Sequence, residues 1–410
     1  MKINTIICLV TLISANVLYA DGFEPPAYSG SAAGVVLSGQ QGWFNPNQGT
    51  RDFRVHTYSG NAPGFAANPI GESQFIGGVV ITNSGHARAQ KPQSFAGSDF
   101  WTISYYMNAR FNGTPPGTNS LAKFSLQPSE TNRTFNATAE WPTGGSTTSW
   151  HYGYEVADAS GNLSGTNVYP NTQWRFLPAN RWFRFSTMID FDSNMIVNAT
   201  LSDLSTGTTY SERPVDWFLT GGSLGTLPLP TAIRYFVGGT TPGNAVGIDG
   251  LNVTQGMGIV PNAYFANRGI FDSGWTISLY EDDGSRLIYR PGPVFSNSQP
   301  PIELVMTGTS PDTTVSSLTF SLQSSSSSTN ILQSIALFNY VTGQYEVVDT
   351  HQTTTGDSNV TVVITSNPSR FVNHLGNREV KARISYKASG AIFVFPWFAR
   401  LDKVSWNFLD

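Results

Sequence analysis

The 410-residue sequence predicts an all-β fold, with a large antiparallel sandwich followed by a second, smaller β-sandwich. Apolar and polar residues alternate over short runs, as in half-buried strands, whereas helical periodicity is nearly absent. Turn-forming residues separate these runs, for example at 190–194 and 202–208. Only 12% of the residues are charged and 13% are aromatic, a composition common in secreted β proteins.

The predicted strands are rich in aromatic and β-branched residues, which favour pleated surfaces. In the first part of the chain they lie at 100–106, 122–126, 149–155, 182–189 and 195–201. In the second part they lie at 276–280, 287–289, 302–307, 317–323, 331–340, 345–349, 359–365, 379–386 and 391–398. Regular short strands separated by turns indicate antiparallel sandwiches or barrels.

The first twenty residues have the pattern of a secretory signal peptide. Lys2 precedes the apolar run 6–13, and Ala20 offers a small residue at the cleavage position. The alternative is a buried N-terminal strand. Cleavage predicts a secreted, extracellular protein, with the periplasm or the cell surface as the other destinations. No later segment is apolar over about 18 residues, so we expect no membrane span in the mature chain.

The remaining chain divides into a first module at 21–255, a linker at 256–268 and a C-terminal module at 269–410. The only cysteine, Cys8, lies in the signal peptide, so disulfides and thiolate chemistry are excluded from the mature chain. The net charge is −4 and no basic stripe occurs, which argues against a nucleic-acid partner.

The first module resembles secreted bacterial jelly-roll modules of the concanavalin A-like lectin/glucanase (laminin G-like) type. The matching motifs are Gly22-Phe23-Glu24, Gly39-Gln40-Gln41-Gly42-Trp43, Arg181-Trp182-Phe183, Asp203-Leu204-Ser205-Thr206-Gly207 and Ile248-Asp249-Gly250-Leu251. The resemblance implies a concanavalin A-like antiparallel jelly roll whose first and last strands lie side by side. Phe23 is then expected to close one end of the sandwich, and Trp43 to return to its core.

The second module resembles a C-terminal module of secreted proteins from planctomycete-type bacteria. The matching motifs are Asp282-Asp283, Arg286-Leu287, Arg290-Pro291-Gly292, Arg383-Ile384-Ser385-Tyr386 and Leu401-Asp402-Lys403-Val404-Ser405-Trp406. We expect a smaller β-sandwich there.

The resemblance also implies a structural calcium ion in the first module. If the first and last strands are neighbours, Glu24 and Asp249 meet near the edge of the sheet, where Ca²⁺ offsets their repulsion. The alternative is two separate surface carboxylates.

The strand at 150–155 carries the ligand-binding candidates: Trp150, His151, Tyr152, Tyr154 and Glu155. Alternation places Trp150, Tyr152 and Tyr154 on one face, and His151 with Glu155 on the other. In one interpretation the three aromatics are core and the other two residues are exposed. In another, the aromatics stack on pyranose rings.

The chemistry of the sequence favours a non-catalytic function. Glucan hydrolases of this fold place carboxylates as E-x-D-x-E along a strand, and no such triplet occurs. The leading hypothesis is therefore a secreted binding or structural protein that recognises extracellular polysaccharide or a cell-surface glycan. The alternative is a carbohydrate-active enzyme, a lyase or a hydrolase, acting around His151 and Glu155. A purely structural pair of modules is the third hypothesis.

Overall fold

The computed structural model describes most of the chain as antiparallel β-structure. The described residues are 17–47, 51–80, 87–96, 100–111, 120–128, 134–140, 147–224, 228–238, 242–280, 286–391 and 395–409. Residues 1–16 of the predicted signal peptide, which include Cys8, and the motif Asp282-Asp283 lie outside these ranges.

The first sheet is the larger face of the first sandwich. Its strands are β1 (Val17–Asp21), β2 (Val35–Val36), β4 (Arg54–Thr57), β5 (Gln74–Val79), β7 (Phe100–Arg110), β12 (Phe183–Asp190), β13 (Met195–Asp203), β14 (Thr208–Glu212) and β16 (Ala245–Gln255). The order across the sheet is β14-β13-β12-β7-β16-β5-β4-β2, and β1 pairs with β16.

The second sheet packs against the first. Its strands are β3 (Arg51–Asp52), β6 (Ala87–Pro92), β8 (Ser120–Gln127), β9 (Phe135–Glu140), β10 (Ser149–Glu155), β11 (Leu177–Pro178) and β15 (Ala232–Val237). They are arranged in the order β11-β10-β9-β8-β15-β6-β3. Neighbours are antiparallel except β3 and β6, which run parallel.

Alternate residues of each strand point between the two sheets. Many of these inward-pointing residues are aromatic, so the core of this sandwich is aromatic. Tyr152 of β10 stacks on Phe185 of β12 with ring centroids 3.8 Å apart. Phe23 and Trp43 are both buried in this core, with ring centroids 6.1 Å apart. The expected return of Trp43 to the core is therefore confirmed, while the closing of one end by Phe23 stays a prediction.

The second block forms two further sheets around a separate apolar cluster. One contains β17 (Met257–Ile259), β19 (Ile270–Ser273), β20 (Leu287–Arg290), β22 (Ser317–Ser326), β25 (Ser358–Ile364) and β27 (Ala399–Leu409). The other contains β18 (Ala263–Arg268), β21 (Ile302–Thr309), β23 (Ile331–Asn339), β24 (Gln344–Gln352) and β26 (Glu379–Ala388). The predicted all-β class, a jelly-roll sandwich followed by a smaller sandwich, is confirmed.

Short 3₁₀ helices join some of these strands, at Thr172–Trp174, Gly222–Leu224, Thr276–Leu279 and Pro368–Phe371. The prediction of a strand at 276–280 is therefore wrong. The side-chain oxygen of Ser278 accepts a hydrogen bond from the Trp275 N–H, and its own N–H bonds back to the Trp275 carbonyl. Such local bonds compete with pairing to a neighbouring strand.

The segment 256–268 was expected to be a connection, yet it holds β17 and β18. β17 pairs with residues 406–408 of β27, and β18 pairs with β21. A strand as short as β17 has no measurable alternation, so only its partner reveals it. The module boundaries themselves stay a prediction.

Residues 17–20, the end of the predicted signal peptide, belong to β1. Asp21 pairs with Leu251 and Ala20 with Asn252, so the first described strand lies beside the last strand of the sandwich. Cleavage after Ala20 would leave only Asp21 of this strand, while β16 keeps its pairing with β5 and β7. Signal cleavage stays a prediction.

The second block contacts the outer face of the first sheet. The ring of Tyr280 lies 5.5 Å from the guanidinium of Arg184, and its hydroxyl is 3.0 Å from Thr209 Oγ1. Arg213 pairs with Asp312 at 3.1 Å. No helix in the described part of the chain is long and apolar enough to span a membrane.

Candidate functional site

The three predicted aromatics of β10 lie inside the sandwich. Trp150 and Tyr154 are fully buried, and Tyr152 is 1% exposed. Trp150 packs against Phe183 and Phe185, with centroids 5.9 and 5.8 Å apart. These rings therefore form core, and stacking on a ligand requires other residues.

His151 and Glu155 face the other way, towards the outer surface of the second sheet, as alternation predicts. His151 is only 8% exposed and Glu155 is half-buried, so the interpretation in which both are exposed is wrong. The Asn136 side-chain amide lies 3.3 Å from the Glu155 carboxylate. The His151 ring is covered because the chain folds back over this part of the face.

The segment after β10 folds back along its edge. Tyr154 and Val168 exchange two backbone hydrogen bonds of 2.8 Å, and Leu177 of β11 pairs with Trp150. Gly153 makes this approach possible, because a Cβ there would lie 2.9 Å from the Tyr169 ring and from the Val168 carbonyl. The returning segment thus places its side chains beside His151.

Two aromatic rings flank the His151 ring. Tyr169 and Phe176 contact it edge-on, with centroids 5.4 and 4.8 Å away. The Arg175 guanidinium lies 4.5 Å from the centre of the Tyr169 ring. Phe176 is 63% exposed and has a φ of 58°, a backbone conformation that is unfavourable for a bulky residue. We call Glu140, His151, Asn167, Tyr169, Arg175 and Phe176 the His151 cluster.

Glu140 supplies a carboxylate directly opposite His151 in the β9–β10 ladder. Asn167 Nδ2 donates to its Oε2 at 2.6 Å. Burial raises the pKa of Glu140, against the opposing effects of Asn167, Lys123 and Arg175. Burial also lowers the pKa of His151, and the Arg175 charge adds to that shift. The His151 imidazole is therefore held neutral, on the strand next to the Glu140 carboxylate.

Polar side chains continue from this cluster across the second sheet. Thr138 of β9 pairs with Lys123 of β8 and with Gly153 of β10. Two residues further along the same face, Asn136 pairs with Ser125. Thr138 Oγ1, Asn136 Oδ1 and His151 Nε2 are buried and have no hydrogen-bond partner among the described residues. Buried polar atoms normally are hydrogen-bonded, so these atoms are suited to a ligand or to water.

The predicted metal pair does not form. Asp249 is fully buried and accepts from Tyr58 Oη at 2.6 Å, from Asn68 Nδ2 at 3.4 Å and from the Gly250 N–H at 3.0 Å. Its carboxyl partner is Glu72, and burial raises the pKa of Asp249 to about 7. The prediction that Glu24 faces Asp249 is thus wrong, because a residue of the 58–72 loop takes that position.

Glu24 instead fixes the start of β5. Its carboxylate accepts from the backbone N–H groups of Ser73 and Gln74 at 2.9 and 2.8 Å, and from the Ser73 hydroxyl. Calcium needs six to eight oxygen ligands. The described residues contain no group of three or more acidic, His or Cys side chains that could hold a metal. The Asp249 carboxylate is already surrounded by N–H and O–H donors, so its surroundings do not fit a calcium ion.

Comparisons with known proteins add only structural likenesses. No family model matches the chain, and no curated protein matches it. The carbohydrate esterase of the Shiga toxin-encoding bacteriophage phi24B aligns with a TM-score of 0.34 at 10% identity, over 55% of this chain and 97% of that chain.

Two further solved structures are similar in the same distant way. A tandem CBM22 domain from Paenibacillus barcinonensis gives a TM-score of 0.27 at 10% identity, over 92% of this chain and 98% of that chain. Winged bean acidic lectin, solved with methyl-α-D-galactose, gives 0.30 at 14% identity, over 52% of this chain and 97% of that chain. Likenesses this distant carry no argument about function, which rests on the geometry of the site.

Proposed function

We propose that this is a secreted, non-catalytic glycan-binding protein whose ligand lies on the His151 cluster. The observation that carries the proposal is the exposed Phe176 ring, which packs edge-on against the buried His151 ring, whose Nε2 has no hydrogen-bond partner among the described residues. Carbohydrate sites commonly combine an apolar platform with a few fixed polar groups. Secretion is supported by the signal-peptide pattern of residues 1–20.

The cluster offers both kinds of contact that a sugar needs. The Phe176 and Tyr169 rings give apolar surface for the C–H face of a pyranose. Glu140, Asn167 and the neutral His151 ring can accept or donate hydrogen bonds to its hydroxyls. The first sheet is the face against which the second block packs, which favours the second sheet as the ligand surface.

We expect Phe176→Ala to weaken glycan binding by about fivefold or more, because an aromatic contact contributes roughly 1 kcal/mol beyond area burial. The measurement is a polysaccharide array, followed by titration of the glycans that bind. Phe295→Ala is the matched control, since Phe295 is 92% exposed in the second block. Equal loss in both variants, or binding that survives in Phe176→Ala, would contradict the proposal.

A polysaccharide lyase is the second candidate, favoured by the contact between His151 and Tyr169. A neutral imidazole can remove a proton next to a uronate carboxylate, a nearby phenol can protonate the leaving oxygen, and Arg175 can neutralise the carboxylate. The reaction creates a C=C bond, so incubation with uronate polysaccharides should raise the ultraviolet absorbance, and His151→Ala should abolish that rise. Binding without any rise rejects the lyase and leaves the binding protein.

Hydrolysis by paired carboxylates is disfavoured. The two candidate carboxylates are those of Glu140 and Glu155. Glu140 is the ladder partner of His151, and Glu155 lies four residues further along β10, so the backbone positions of the two residues are about 13 Å apart along the strands. Glycosidases need roughly 5–9.5 Å between their carboxyl groups.

A further inference from the structure

A cavity lined by residues of β3, β4 and β5 lies at one edge of the first sandwich. Its volume is about 540 Å³, within the range of roughly 300–1,000 Å³ that small-ligand sites occupy. β4 and β5 form its floor. The lining residues that matter for its chemistry are Arg51, Asp52, Arg54, His56, Gly77 and Arg110.

Three arginines and one aspartate line this cavity, so its electrostatic character is cationic. Arg54 Nη1 donates to the Gly34 carbonyl at 2.8 Å, and Arg110 Nη1 donates to the Pro63 carbonyl. Each bond holds the guanidinium in place with one of its five N–H groups. The other donors of these planar groups suit two oxygens of a carboxylate or a sulfate.

His56 adds an acceptor to the same cavity. Its ring is 2% exposed and stacks on Phe75 with centroids 5.4 Å apart. Its Nδ1 lies 3.3 Å from the Ala32 carbonyl oxygen, which can only accept, so Nδ1 carries the proton. Nε2 has no hydrogen-bond partner among the described residues. Burial lowers the pKa of His56, Arg54 adds to the shift and the Ala32 bond opposes it.

A neutral His56 therefore offers Nε2 as an acceptor, which an O–H group can satisfy and an anion cannot. Asp52 is a second acceptor in the lining. Donors for an anion and acceptors for hydroxyls thus line one cavity, a combination that matches a molecule carrying both.

Two glycines allow the backbone to pack closely against the His56 ring. A Cβ on Gly34, whose φ is 85°, would lie 2.4 Å from His56 Cε1. A Cβ on Gly77 would lie 3.0 Å from His56 Cδ2. Side chains at these positions would displace the ring, so the acceptor depends on both glycines.

We propose that this cavity binds an acidic sugar residue, whose carboxylate or sulfate is held by Arg54 and Arg110 and whose hydroxyls donate to His56 and Asp52. The site is formed by β3, β4 and β5, which lie towards the opposite end of the two sheet orders from β10, and it does not depend on the function proposed for the His151 cluster. Because the attraction is largely between charges near the surface, binding should weaken as salt is added.

The test is isothermal titration of the full chain at low salt with glucuronate, a glucose sulfate ester, glucose and inorganic sulfate. Binding of either acidic sugar is expected, together with at least tenfold weaker binding of glucose and of inorganic sulfate. The two acidic sugars distinguish a carboxylate site from a sulfate site. Glucose binding as tightly as the acidic sugars, inorganic sulfate binding alone, or no binding at all would each overturn the proposal.

Variants show whether the sugar lies in this cavity. Arg54→Gln and Arg110→Gln should each weaken acidic-sugar binding at least tenfold, and Arg290→Gln, an exposed arginine of the second block, should not. Arg54→Gln and Arg110→Gln each remove a hydrogen bond to a backbone carbonyl, of Gly34 or Pro63, and thermal melting shows whether either variant unfolds for that reason. Arg51→Gln is the additional variant for that case. Unchanged binding in folded Arg51→Gln and Arg54→Gln would place the ligand elsewhere and reject the site.

Discussion

Replacing Trp150 by Ala is expected to lower the free energy of unfolding by about 3–5 kcal/mol, the usual cost of deleting a buried aromatic side chain. Trp150 is fully buried against Phe183 and Phe185. Its Nε1 also donates to the Pro178 carbonyl at 3.2 Å, so the substitution removes a hydrogen bond from the β10–β11 edge as well. Urea unfolding followed by tryptophan fluorescence and by circular dichroism measures the loss.

Phe176→Ala is the matched comparison, since it removes an aromatic ring from the returning segment that covers the outer face of β10. Because Phe176 is 63% exposed, we expect a change in unfolding free energy within about 0.5 kcal/mol. The pair of variants separates core from ligand surface. A Trp150→Ala protein with native stability and lost glycan binding would mean that the aromatics of β10 meet the ligand after all.

The two faces of β10 could be predicted from the sequence because side chains alternate strictly along a strand. What covers the outer face could not. Tyr169 and Phe176 reach His151 only through the returning segment 167–178, and nothing in its composition indicates that it crosses above Gly153. A glycine at an outward position of an otherwise aromatic strand was the one available signal, since it often marks a close backbone approach.

The fold class was predictable for a similar reason. Long strands such as β7 and β12 show their alternation within the chain itself. Strands of two or three residues, such as β2 and β17, have no period and exist only through their partners. The resemblance placed Asp249 in the last strand correctly, but its carboxyl partner, Glu72, comes from a loop that carries no recognisable pattern.

Asp249→Asn is expected to remove a pH dependence from the stability of the protein. The pKa of Asp249 is raised from 3.8 to about 7 by burial, so the folded state binds its proton more tightly than the unfolded state. The stabilisation that this proton provides is complete below about pH 4 and is lost as the pH rises to about 7. Wild type should therefore lose about 1.4 kcal/mol per pH unit relative to the variant across that window.

The measurement is the free energy of unfolding in urea at several pH values from about 5 to 8, with and without a chelator. A bound calcium ion, which the resemblance predicted, would keep Asp249 ionised and reverse the trend. Wild type would then gain stability relative to Asp249→Asn as the pH rises, and the chelator would lower its melting temperature. A falling difference that the chelator does not change instead means that Asp249 and Glu72 share a proton at the position where the resemblance predicts a metal.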